Sequence, residues 1–103
     1  MKIRLADDEI RIRLAHRDIA VLVDGGVVDC VVMPGTYAVR VTTSAHERSE
    51  VMFASNGIDV TIPPSALPDV PREFKTHKWG GDTGHPTVIV ELDKQRRPRN
   101  RRS

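Results

Sequence analysis

The residues best placed to do chemistry lie in one stretch, KTHKWGGDTGHP, residues 75–86. It holds His77, Trp79, Asp82 and His85 within nine positions. Two imidazoles and a carboxylate are nitrogen and oxygen donors of the kind a metal takes. The spacing H-x4-D-x2-H fits no established metal motif, so no metal is assigned. Gly80, Gly81 and Gly84 would let backbone amides approach an anion. The Lys-Ser/Thr pair of a phosphate loop is missing, however, and no helical pattern follows. The stretch reads as a long surface loop pinned by Trp79, with His77, Trp79, Asp82 and His85 as a ligand- or partner-facing set.

A second feature is compositional. Lys94–Ser103 carries six cations, Lys94, Arg96, Arg97, Arg99, Arg101 and Arg102, and no acid. Arginine pairs with phosphate through a planar fork, and each neutralised phosphate gives salt-dependent affinity. No aromatic residue is interleaved for base stacking. Arg96, Arg97, Arg99, Arg101 and Arg102 are therefore a candidate arm for nucleic acid or for an acidic protein, and the segment has the composition of a disordered tail. The formal net charge of +2 hides this asymmetry, since Met1–Asp93 holds 10 cations against 14 acids.

Other candidates are weaker. Ser44, His46 and Glu47 are close in sequence, but catalytic groups usually converge from separate elements. No catalytic residue is assigned, and nothing calls for a cofactor. The single cysteine, Cys30, excludes an intrachain disulfide and sits in a valine run as a small hydrophobe.

These residues need a scaffold, and Ile10–Val28 organises it. Ile10, Ile12 and Leu14 alternate with Arg11 and Arg13, the period of a half-buried strand. In Asp18–Asp24 the spacing changes to Ile19, Leu22, Val23, one helical stripe. Gly25 can take the left-handed conformation that ends a helix. The helix is expected over about residues 16–24. Strands are expected at Lys2–Leu5, Glu9–Leu14, Val27–Met33, Gly35–Thr43, on both sides of Asn56-Gly57, and at Thr87–Asp93. Asn56-Gly57 is the preferred two-residue hairpin turn; with it as the loop, Phe53 faces Val60, and Val51, Phe53, Val60 and Ile62 share one buried face. Ile3 and Leu5 are expected inward. Lys2, Arg4, Arg11 and Arg13 share the outward face of the first hairpin. Either this is an anion-binding stripe or acids of a neighbouring strand neutralise it, Glu91 and Asp93 being the best placed.

The opening MKIR, then IRIRL, a short helix, GG and a strand resembles a family of small uncharacterised bacterial proteins of about one hundred residues. The resemblance covers Met1–Val28 most closely, extends more thinly to Val51–Ser65 and the VIVELDK strand, and does not include residues 74–86. It implies no activity. Such proteins usually open the helix with Thr or Ser after the second strand, where this chain has Ala15. A lost cap oxygen costs about 1 kcal/mol, part of which Asp18 in the first turn recovers through the helix dipole.

The order of elements gives an α+β domain over residues 1–93. It predicts a strongly curved, mostly antiparallel sheet, or small open barrel, of about seven strands with one short helix after the second. No apolar run approaches the ~20 residues of a membrane span and no signal-like start is present, which points to the cytoplasm. The functional expectation is a non-enzymatic binding or interaction domain. The alternatives are a nucleic-acid-associated protein working through the tail and, more remotely, an enzyme or ligand-binding protein using Trp79–His85.

Overall fold

The computed structural model describes residues 1–33, 37–80 and 86–93. They form eight strands and one α-helix: β1 Lys2–Leu5, β2 Glu9–Leu14, α1 His16–Val23, β3 Val28–Met33, β4 Tyr37–Thr43, β5 Glu50–Ala54, β6 Gly57–Ile62, β7 His77–Trp79 and β8 Thr87–Leu92. Short 3-10 turns occupy Pro64–Ala66 and Pro71–Glu73, each with proline in its first turn, where the missing N–H costs nothing.

The strands make two four-stranded mixed sheets in place of the single curved sheet or barrel expected from sequence, and neither sheet closes. The first has the order β1-β2-β8-β7 and the second β3-β4-β6-β5. Each consists of two antiparallel hairpins joined through a central parallel pair, β2 with β8 and β4 with β6. The inner faces are read directly from the period of two. Ile10, Ile12 and Leu14 of β2 and Val88 and Val90 of β8 meet Val39 and Val41 of β4 and Ile58, Val60 and Ile62 of β6 in one core.

Helix α1 adds Ile19 and Leu22 to that core, both fully buried. Its C-terminus is a Schellman motif: Gly26 N–H donates to Val21 O (2.8 Å) and Gly25 N–H to Leu22 O (2.9 Å), with Gly25 at φ +82°. Ala15 at the N-cap supplies no side-chain acceptor. Asp18 does more than complement the dipole, because its Oδ2 accepts the N–H of Ala15 at 2.8 Å.

The β5–β6 hairpin departs from expectation in an instructive way. Phe53 pairs with Ile58 and Val51 with Val60, and the two loop residues are Ser55 and Asn56. The register is displaced by two residues, so the faces are as expected although the partners are not. No non-glycine residue among those described has positive φ, so this is not the primed turn that Asn-Gly favours. Gly57 is needed elsewhere: a Cβ built on it would run into the carbonyl of Ala38 on β4. Glycine here permits the parallel approach of β6 to β4. Phe53 is also not core. It lies on an edge strand and stays 37% exposed, whereas Ile58 and Val60 are buried.

Leu5 is likewise 56% exposed at the end of edge strand β1, with only Ile3 half-buried. Cys30 is half-buried on β3.

Candidate functional site

Of the four loop residues singled out by sequence, the structure describes His77 and Trp79; Asp82 and His85 lie outside the described residues, as do Arg96, Arg97, Arg99, Arg101 and Arg102. His77 and Trp79 are not loop residues. They open and close β7, which pairs antiparallel with β8, His77 against Val90 and Trp79 against Val88. Val88 and Val90 face the core, so both ring residues turn to the inner side at the edge of the first sheet. A three-residue strand whose partner is about ten positions away leaves no local period to read, which is why sequence analysis missed it.

The rings form a short ladder. His77 stacks on Trp79 with centroids 5.9 Å apart and planes 23° apart. Phe74, 7% exposed, tilts against His77 at 5.5 Å. Trp79 Nε1–H donates to Ser49 Oγ at 3.1 Å, tying this edge to the segment that leads into β5. Packed against both rings, His77 has its pKa lowered by desolvation, and its Nε2 is buried with no hydrogen-bond partner among the described residues. Among the described residues no group of three or more His, Cys, Asp or Glu could hold a metal ion.

The cationic stripe is answered as the alternation of β8 requires. Glu91 takes Arg11 Nη1 on one carboxylate oxygen and Arg13 Nε on the other, both at 3.0 Å, and Asp93 pairs with Lys2 at 3.2 Å. Glu9 adds a second contact to Arg11 at 3.1 Å. The hydrogen bond that Arg11 donates to Glu91, and then those it donates to Glu9, push the Arg11 pKa up. Ile89, 7% exposed on this outer face, has Arg11 and Lys78 as register neighbours, and their methylene stems can cover it while the charges stay in water. Arg4 is exposed and has no ion pair among the described residues.

A cavity of about 360 Å³ opens at the C-terminal end of α1, between Leu22 and Val23, the end of β4 at Thr43, and Pro64 and Leu67. Its described lining contains no ionisable side chain, so it offers no acid–base pair. No described helix is long and apolar enough to cross a membrane.

Residues 1–93 match the model of a family of unknown function, DUF7009. The chain belongs to that family. No curated protein matches it. The DUF7009 match runs from β1 through the end of β8, so it takes in both sheets, α1 and the aromatic edge, and it stops where the basic segment begins.

Proposed function

We propose that this chain is a non-enzymatic interaction domain whose partner-facing element is the β7 edge. The observation that supports the reading is the His77–Trp79 stack on a strand at the end of its sheet. An edge strand offers backbone donors and acceptors to an added extended peptide, and rings beside it supply contact area. Lys78, exposed on the opposite face of the same strand, gives such a partner a charge to answer. Asp82 and His85, three and six positions beyond Trp79 in sequence, lie outside the described residues.

The test is capture from lysate at low and high salt with nuclease controls. Full-length protein is compared with Lys78→Glu, Trp79→Ala and a form lacking residues 95–103. Thermal melts establish that each variant folds. Capture that is lost in Trp79→Ala and Lys78→Glu and kept without the tail supports the β7 edge. Capture indifferent to both substitutions removes it.

A second reading is favoured by where the basic segment starts. It follows Asp93, whose carboxylate holds Lys2 on the face that also carries the exposed Arg4. In this reading Arg96, Arg97, Arg99, Arg101 and Arg102 bind nucleic acid without sequence preference, with Kd about 10⁻⁴–10⁻⁶ M and a steep loss with salt. Deleting the tail abolishes that binding and leaves thermal stability unchanged. Binding that survives deletion would move the site to Lys2, Arg4, Arg11 and Arg13, and nuclease-resistant capture lost with the tail would identify an acidic protein instead.

A further inference from the structure

The outer face of the second sheet has a pattern that β7 does not explain. Read across β3, β4, β6 and β5, one register row is Val31, Ala38, Gly57, Ala54 and the next is Asp29, Arg40, Asp59, Met52. The first row is apolar and, past Val31, nearly without side chains. The second places one cation between two acids. Val31 and Met52 are 61% and 60% exposed, and Asp29, Arg40 and Asp59 form no ion pair among the described residues.

We propose that this face is a self-association surface and that its occupant is a second copy of the chain. The face is its own complement. A two-fold axis normal to the sheet cannot stack two copies, but one parallel to the strands, midway between β4 and β6, lays β4 of one copy over β6 of the other at the same height. Arg40 then meets Asp59 of the other copy, twice by symmetry. Ala38 lies over Gly57, and Val31 fits over the small Ala54. Asp29 and Met52 fall at the rim, where a charge stays wet. Aligned sheets stack about 10 Å apart, and the Ala-Gly-Ala row leaves room for that approach. A different protein would need to reproduce both the flat row and the alternating charges, which a second copy already carries.

The patch is small. Four strands at ~4.8 Å spacing and five residues at ~3.3 Å give roughly 300 Å² per copy, below the ~800 Å² per partner of a stable complex. The dimer is therefore weak and strongly concentration-dependent.

Charge reversal tests it. In Arg40→Asp both cross-copy pairs become acid against acid, and in Asp59→Arg both become cation against cation. Each variant alone should dimerise at least about tenfold more weakly than the parent. Mixed in equal amounts they should restore association, because one copy then carries acids and the other cations at both positions, and both cross-copy pairs of a mixed dimer are again opposite in sign. Sedimentation over a hundredfold range of concentration reads all four samples. Both positions are exposed, and far-UV circular dichroism with thermal melts checks that the variants fold. A parent that stays monomeric throughout, variants that associate like the parent, or a mixture no tighter than its components would each overturn the proposal. None of these outcomes bears on the β7 edge, which neither substitution touches.

Discussion

The α-amino nitrogen of Met1 lies 2.9 Å from Oδ2 of Asp18, and that same oxygen accepts the N–H of Ala15 at 2.8 Å. One carboxylate thus joins the start of β1, the helix N-cap and the first turn of α1. The pair is shielded, with the two side chains 2% and 12% exposed. Removing one partner of a shielded pair leaves the other charge without compensation. Asp18→Ala should cost about 3–5 kcal/mol in urea unfolding. Asp18→Asn, which keeps an acceptor for Ala15 but not the charge, should cost less. Equal costs would mean that the ion pair, and not the hydrogen bond, carries the effect.

Ala15 remains a position where stability can be gained. Its backbone, φ −76° and ψ 164°, already has N-cap geometry, and its side chain offers no oxygen to the first turn. Ala15→Ser should add about 0.5–2 kcal/mol. Asp18 serves the N–H of Ala15 itself, whereas a serine oxygen would serve an N–H inside the first turn, so the two contributions are expected to add. Denaturant melts of Ala15→Ser, made both in the parent chain and together with Asp18→Asn, check that independence.

The β5–β6 hairpin separates residues that share a face. Ile58 is 1% exposed on a central strand and Phe53 is 37% exposed on the edge strand opposite it. Ile58→Ala should cost about 2–5 kcal/mol. Phe53→Ala should cost less than Ile58→Ala although it removes more atoms, because a partly wet ring loses less on truncation. The reverse order in chemical denaturation would show that Phe53 is better covered than its exposure indicates.

His77 sets a pH dependence whose sign follows from its environment. Its pKa is lowered in the fold by desolvation, so the unfolded chain takes up the proton first. Stability is then fully present above the ordinary histidine value near 6.5 and is lost as pH falls from there toward the depressed folded value. His77→Phe, which keeps a ring against Phe74 and Trp79, should flatten the melting temperature between about pH 7 and pH 5. An unchanged slope would mean that His77 does not set the acid loss.

What sequence made legible was local. The alternation of Ile10, Ile12 and Leu14, the glycine stop at Gly25 and the outward acids of β8 all depend on neighbours a few positions apart. What it did not show was long-range. Asn56-Gly57 was read as a turn because that dipeptide favours one, whereas Gly57 answers a carbonyl of β4 nineteen positions away in sequence. The parallel pairs that divide the strands between two sheets leave no mark on a single strand, and β7 is defined by its partner alone. For the candidate site, His77 and Trp79 could be singled out by residue type, but their stacking and their place on an edge strand could not.

The two parallel pairs also differ in how far along the chain they must reach. In the second sheet, Ala38 finds Gly57, a separation of 19 residues, while in the first Glu9 finds Thr87, a separation of 78. Two doublings of loop length add about 1.2 kcal/mol of closure entropy. The β3–β6 sheet is therefore expected to be the kinetic nucleus, assembled from contiguous chain, with the outer hairpins zipping together last around it. In stopped-flow kinetics, substitutions at Val39 or Val60 should slow folding, while equally destabilising ones at Ile12 or Val90 should mainly hasten unfolding. The edge that carries His77 and Trp79 is thus completed only in the final step, after the rest of the chain has already committed to its shape.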